Sequence, residues 1–343
     1  MQSLQRLNCI LAIALSFSLR AWASAADQPA PADPITVTIH TEDAERFARI
    51  FEAAKGNPSA EQLQKGYLDG GSYGIKVFTP NRIVNAEHLA AAVSKNSAAY
   101  EHAIRACLPR LNQYDADLRS IYLAMHGLFP DKPLPQIFIV FGAASSGGTA
   151  GPNAQVLGLE VLCATSDDTP DGLRTTLRRF FAHETVHTFQ SVPTDASKSP
   201  LLASALIEGG ADFIASIVTG QIPDPQRANW AGAREADLWA QFQKDMQADQ
   251  MPASTESPQA ANQARLRWIG NYKAAPPGWP VEAGYWIGMR IWQCYYEAAP
   301  DKHKAIRDVL DWNDPGLILR ESRYSGHSCG AEGAGTGESR TRE

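Results

Sequence analysis

The stretch HETVH, residues 183–187, has the residue types of a metal-dependent hydrolytic site. On an α-helix, His183 and His187 share one face about 6 Å apart along the axis, so both imidazoles can bind one ion. Glu184 projects about 100° round the helix from His183, where its carboxylate can hydrogen-bond a metal-bound water without being a ligand. Zinc hydrolases use this arrangement. The alternative is a pair of satisfied core histidines beside a surface glutamate.

A hydrolytic zinc site also needs a third protein ligand and an open position for water. Glu208 lies on the next predicted helix, which a short connection allows to fold back against the first. Asp212 is one turn further on the same face and could accept the outer N–H of a ligating histidine. The alternative for both acids is helix surface charge. Gly209 and Gly210 each cost about 1 kcal/mol relative to alanine inside a helix, and they predict that the two helix backbones approach closely at the metal.

The two motifs together, His183-Glu184-x-x-His187 and Glu208-x-x-x-Asp212, resemble those of the gluzincin zinc metallopeptidases, the thermolysin-like clan. More narrowly, HETVHTFQ, EGGADFIA and GYWIGMRIWQCYYEAAPDKHKAIRDVL look like a family of predicted bacterial secreted zinc-dependent proteases. The gliding-motility-type lipoproteins look like relatives. The resemblance implies one Zn²⁺ per chain, with Glu184 as the catalytic carboxylate and Asp212 supporting a zinc histidine. The implied zinc ligands are His183, His187 and Glu208.

The function predicted from these residues is a zinc-dependent metallopeptidase that hydrolyses peptide bonds. Zinc lowers the pKa of bound water from 15.7 to about 7, and Glu184 would pass the water's proton to the leaving amine. A second donor to the oxyanion is usual. Tyr285 is our candidate, with a core or interface aromatic as the alternative. Its rivals are Tyr324, Arg290, His303 and His327.

A non-catalytic function is the alternative: a zinc-containing envelope protein that binds a peptide or a partner protein. Glu184 favours the enzyme, since a binding module does not need it and a closed structural site prefers a fourth protein ligand. We also predict a strand over residues 155–163 that runs along the cleft and pairs with an extended substrate. Glu160 on its polar face could bind a substrate's α-amine, or it is a plain strand carboxylate.

The N-terminus predicts export. Residues 1–25 combine Arg6, an apolar run and Ala23-Ser24-Ala25, the order of a secretory signal peptide. The alternative is an uncleaved anchor helix. After cleavage we expect no transmembrane span and a periplasmic or secreted protein. The mature chain has 29 basic and 37 acidic residues, a formal charge of −8, which argues against nucleic acid as a partner.

The predicted fold class is α+β and predominantly helical. We expect a zincin-like domain over 26–327, with a small sheet packed on the HExxH helix, an N-terminal lobe to about residue 190 and a helical, tryptophan-rich C-terminal lobe. Residues 328–343 read as a disordered tail. Cys107, Cys163, Cys294 and Cys329 could form up to two disulfides in three pairings, or remain buried thiols. The sequence does not indicate the oligomeric state.

Overall fold

Fifteen α-helices and four β-strands make up the described part of the chain. The computed structural model describes residues 28–167, 169–250, 258–272, 274–327 and 329, so the proposed signal peptide and most of the proposed tail lie outside the described residues. About 64% of the described residues are helical and the small sheet is mixed, which confirms the α+β, predominantly helical prediction.

The N-terminal half carries the sheet. Its strands are β1 (Ile39–His40), β2 (Gln136–Val140), β3 (Gly148–Gly151) and β4 (Ala154–Gly158). Its helices are α1 (Glu42–Ala53), α2 (Ala60–Leu63), α3 (Tyr73–Phe78), α4 (Ala86–Lys95), α5 (Ser97–His102), α6 (Asp115–Leu128), α7 (Leu159–Thr165) and α8 (Gly172–Phe189). Short π and 3₁₀ segments occupy 64–68, 79–83, 103–107, 108–114 and 196–198.

After α8, the long regular elements of the described residues are helices. They are α9 (Pro200–Thr219), α10 (Pro225–Gly232), α11 (Glu235–Asp249), α12 (Pro258–Trp268), α13 (Ala283–Ala298), α14 (Lys302–Asp308) and α15 (Pro315–Ser322). By length and composition α9 could cross a membrane, but 67% of its apolar window is buried inside the protein. The apolar character of α9 is therefore that of a core helix.

The strand order is β1-β2-β4-β3. β2 pairs in parallel with β1 and β4, whereas β3 pairs antiparallel to β4 with Thr149 opposite Val156. β3 is therefore an edge strand of this sheet. The sequence alone predicts a flexible loop over residues 143–153, because the Gly and Ala side chains of β3 give no periodic signal.

Two predicted strands are shorter than expected. The alternating residues 35–40 predict a strand, but only Ile39 and His40 form one. Asp33 accepts the backbone N–H groups of Ile35 and Thr36 and draws them into a turn. The predicted strand 155–163 ends at Gly158, and the chain then forms α7. Because Leu159 to Cys163 are all buried, their apolar pattern does not distinguish a strand from a helix.

Helix boundaries also differ in places. The sequence predicts one helix over 86–110, but the helix breaks after Lys95, and the chain passes through α5 and a π turn into a 3₁₀ segment. Pro109 in that segment has no N–H for a helical bond. Thr169 and Pro170 are start signals that predict an earlier beginning for α8, which begins at Gly172. Pro200 and Gly220 predict the two ends of α9, and the helix has Pro200 in its first turn and Gly220 in the left-handed conformation after its end.

Both disulfides join neighbouring cysteines in chain order. Cys107 is bonded to Cys163, and Cys294 is bonded to Cys329. Cys329 lies in the segment that we expected to be a disordered tail, yet it also pairs with Tyr324 in an isolated β-bridge. The ordered chain therefore extends at least to this bond.

Candidate metal centre

The helices α8 and α9 bring three potential ligand atoms together. Nε2 of His183 and Nε2 of His187 are 3.0 Å apart. Oε2 of Glu208 lies 3.3 Å from the first nitrogen and 3.2 Å from the second. These three residues form one of the groups in the described chain whose donor atoms could hold one metal ion.

The spacing of these atoms fits tetrahedral zinc. Zinc–nitrogen bonds of about 2.0–2.1 Å place the ligands of an ideal tetrahedron about 3.3 Å from one another. The observed separations of 3.0–3.3 Å match three such corners. A fourth corner then remains for a ligand from outside this set.

Hydrogen bonds at the opposite ring nitrogens orient both imidazoles. Nδ1 of His183 lies 2.9 Å from Oδ1 of Asp212, and Nδ1 of His187 lies 2.8 Å from Oε1 of Gln190. The amide nitrogen of Gln190 donates to the carbonyl of Ile207, which fixes the amide oxygen towards the histidine. With Nδ1 as the donor, each Nε2 presents its lone pair to the shared centre.

The electrostatics of the cluster favour a cation. Burial lowers the pKa of His183, but hydrogen bonds with Asp212 and Glu208 more than offset burial and raise the pKa to about 10. The pKa of His187 is also raised, because the Glu208 carboxylate outweighs burial. Burial raises the pKa of Glu208, yet the two histidines lower it well below its ordinary range. The cluster therefore attracts positive charge, as protons or as a metal ion.

Asp212 is held on its other side by an arginine that sequence reasoning missed. Burial raises the pKa of Asp212, whereas Arg227 and the hydrogen bond to His183 lower it to about 2. Arg227 donates to Oδ2 of Asp212 over 2.5 Å. The loop between α9 and α10 separates this arginine from both motifs, so no periodic spacing in the sequence pointed to it. Gln190, one turn after His187, could have been found from its position on the motif helix.

Glu184 reaches the same centre from the sheet side. Its side chain is 7% exposed, and its charge acts on both histidines. It lies against Gly148 of β3, where an added Cβ would stand 2.5 Å from Oε1 of Glu184. The absence of a side chain at Gly148 therefore makes room for this carboxylate beside the edge strand.

Side chains from the sheet and from α6 fix the motif helix in place. Gln155 on β4 donates its amide N–H to the carbonyl oxygens of Phe180 and Phe181. Asp117 on α6 accepts hydrogen bonds from Arg174 and Arg178 near the start of α8. These contacts join α8 to its two neighbours before the helix reaches His183.

The candidate oxyanion donors differ in their positions relative to the three metal ligands. The ring of Tyr285 stacks on His183, with centroids 5.8 Å apart, and burial together with the Glu208 charge raises the pKa of Tyr285 well above its ordinary value. Tyr324 and Arg290 instead bind Glu235. His303 and His327 are exposed. Among these candidates, only Tyr285 joins the cluster.

The prediction that Glu160 lies on the polar face of a strand is wrong. Glu160 lies in the first turn of α7, 3% exposed, and its carboxylate accepts the N–H groups of Gly142 and Ala144. Glu160 therefore fixes the loop after β2 and does not lie on a strand.

Comparison with known protein families gives one match. The matching description is gliding motility protein GldB, over residues 27–326. The chain belongs to the GldB family. No curated protein and no solved structure matches it.

This family assignment overturns the enzymatic prediction. The family is one of gliding motility lipoproteins and is not known as a peptidase, so the identification as a zinc metallopeptidase and the predicted hydrolytic function are wrong. The catalytic roles of Glu184 and Tyr285 depended on that function. The weaker resemblance to gliding-motility-type lipoproteins agrees with the match.

Membership of a cell-envelope family is consistent with export of the chain, as predicted. It gives no support to a peptide substrate. The prediction of the three metal ligands does not depend on catalysis, because it concerns only the positions of their donor atoms.

Proposed function

We propose that this protein is a zinc-binding protein of the cell envelope, periplasmic or secreted, that binds a partner protein beside its metal ion and catalyses no reaction. The observation that carries the proposal is the convergence of His183, His187 and Glu208 at tetrahedral spacing. Two orienting hydrogen bonds and a buried carboxylate nearby are typical of the surroundings of a metal ion. The proposed arrangement is zincin-like, with the sheet on one side of α8 and the C-terminal helices on the other.

Zinc fits the donor set better than calcium or magnesium. Two imidazoles and one carboxylate are zinc ligands, whereas the hard cations prefer oxygen alone. We expect one Zn²⁺ per chain, with an open position that a partner or a water can occupy.

The edge strand supports a partner protein as the occupant of the cleft. The backbone N–H of Gly158 donates to Gly147, so alternation along the antiparallel ladder directs the N–H and C=O of Ala150 away from β4. An extended segment of a partner could pair with this edge. Because Glu184 lies against Gly148 on the same strand, such a segment would pass beside the metal ion.

The metal part of the proposal is tested by zinc content. Purified mature protein should contain about one zinc per chain, measured by inductively coupled plasma mass spectrometry. His187→Ala should lose it, because two remaining ligands hold zinc poorly. Glu184→Gln should retain it, and the exposed His303→Ala is the matched control.

Equal zinc in the wild-type protein and in His187→Ala would refute the proposed centre. Peptide hydrolysis by the wild-type protein that disappears in Glu184→Gln would instead refute the non-catalytic function.

The partner part is tested on β3. Ala150→Pro removes the outward N–H without removing a hydrogen bond of the β3–β4 ladder. Peptides selected on the wild-type protein from a phage-displayed random library should bind this variant at least about tenfold more weakly. Ala150→Ser keeps the N–H and should bind like the wild-type protein. Equal binding by Ala150→Pro would exclude strand addition at this edge.

A further inference from the structure

Arg227 occupies a buried position next to the proposed metal ligands. It lies in α10 and is 3% exposed. One terminal nitrogen donates to Oδ2 of Asp212, and the other donates to the carbonyl of Glu282 over 3.3 Å. A buried guanidinium with bonds in two directions is fixed in its plane and cannot rotate freely.

The same guanidinium covers the face of Tyr285, with its central carbon 5.1 Å from the ring centroid. The ring of Tyr285 also stacks on His183, and the planes of the two rings are within 1° of parallel. Asp212 contacts the same imidazole, because its Oδ1 lies 2.9 Å from Nδ1 of His183. Arg227 therefore contacts both groups that hold the His183 imidazole, one at its edge and one at its face.

The positive charge of Arg227 also affects the carboxylates around His183. Glu184, Glu208 and Asp212 all act on the His183 ring. The contact with Arg227 offsets the charge of Asp212, so this carboxylate can orient the histidine without adding its full charge to that of the other two acids. A neutral residue at position 227 would leave Asp212 buried without that partner and free to turn away from the ring.

We propose that Arg227 is a positioning residue of the metal centre. It fixes Asp212 and Tyr285 on two sides of His183, and in this way holds the Nε2 lone pair of that imidazole towards the ion. This inference rests on the proposed function, because it assigns the residue that determines the affinity of the same zinc site.

The test compares zinc dissociation constants, measured in competition with a chelating dye. Arg227→Met should bind zinc about 10–100-fold more weakly than the wild-type protein, the usual effect of removing an outer partner of a metal ligand. Arg227→Lys should bind with intermediate affinity, because it restores the charge but not the planar fork. Arg267→Met is the matched control. It breaks another arginine–aspartate ion pair, to Asp245 between α12 and α11, and should leave the affinity unchanged.

Cobalt substitution separates positioning from a general loss of stability. The visible absorption of Co²⁺ depends on coordination geometry, so it should change in Arg227→Met and remain unchanged in Arg267→Met. Should Arg227→Met fail to fold, the comparison rests on Arg227→Lys, whose zinc affinity must then fall below that of the wild-type protein.

Zinc binding within about twofold of the wild-type value in the folded Arg227 variant, with an unchanged cobalt spectrum, would overturn the inference and leave the proposed function standing. A wild-type protein with no affinity for zinc would refute both.

Discussion

At the scale of single residues, the proposed centre has to favour a metal ion over protons. Protons compete with a metal ion for this site, because the neighbouring carboxylates raise the pKa of His183 and of His187. Zinc binds neutral imidazole, so its binding must release these protons. The carboxylates that attract zinc therefore also make its affinity fall as the pH drops.

Asp117 allows a test of pH dependence away from the centre. Burial raises the pKa of Asp117, but the hydrogen bonds from Arg174 and Arg178 outweigh burial and lower it. A lowered pKa stabilises the fold above the unfolded-state value of about 3.9, and that stability is lost as the pH falls through the folded-state pKa.

We expect Asp117→Asn to reduce the free energy of unfolding by about 2 kcal/mol at neutral pH, because it removes charge-assisted hydrogen bonds. Urea titrations from pH 7 to pH 3 should show this difference shrinking once the pH falls below about 4. A difference that is independent of pH would show that the carboxylate charge contributes nothing here.

The sequence predicted the donor residues of the centre because their spacing is local. His183, Glu184 and His187 share one helix, and Glu208 and Asp212 share the next. Arg227 reaches Asp212 only because α10 folds back against α9 and α13. A single sequence carries no periodic signal for such a contact.

At the scale of elements, the crossing of α9 and α13 positions Glu208. An added Cβ at Gly288 would lie 1.7 Å from the carbonyl oxygen of Ala205, and one at Gly209 would lie 2.2 Å from the backbone nitrogen of Met289. We had expected the glycines of α9 to allow close approach to the motif helix α8. They instead meet α13, the helix that carries Tyr285.

Gly288→Ala should force α9 and α13 apart. We expect a loss of about 3 kcal/mol in the free energy of unfolding, at the upper end of overpacking effects, together with weaker zinc binding. Denaturant titration and the chelator competition measure the two effects. Gly232→Ala is the matched control, since an added Cβ there meets no atom within 4 Å. It should leave zinc binding unchanged and should not lower the free energy of unfolding. Wild-type stability in Gly288→Ala would show that the crossing is not tight.

The long helices were predictable from the sequence, and the short elements were not. α9 has a proline start, an apolar stripe and a glycine stop that reinforce one another. β3 and α7 are short segments whose conformation depends on tertiary contacts, such as the hydrogen bonds that Glu160 of α7 accepts from Gly142 and Ala144. Local pattern is a weak guide there, because tertiary contacts decide between strand, loop and helix.

At the scale of the whole molecule, the two disulfides tie separate parts of the chain. Cys107 and Cys163 connect the segment before α6 to α7, while Cys294 and Cys329 connect α13 to the end of the described chain. Stable disulfides belong to oxidising compartments, which agrees with the export that the N-terminal sequence predicts. The sequence left the pairing open because three pairings of four cysteines are possible.

Replacing Cys294 and Cys329 by serine together should lower the free energy of unfolding by about 2–4 kcal/mol, as expected for a loop of this length. Denaturation of the oxidised proteins measures the loss. Under reducing conditions the wild-type protein and the variant should become equally stable. A difference that persists in reductant would assign the effect to packing of the cysteines.

The order of the two bridges has a consequence for biogenesis. A polypeptide that is threaded through a membrane from its N-terminus delivers its thiols one after another, and here each bridge joins two successive thiols of the described chain. An oxidase that couples thiols in their order of arrival makes the native bonds directly. Maturation should then need an oxidant on the far side of the membrane but no isomerase to shuffle mispaired sulfurs.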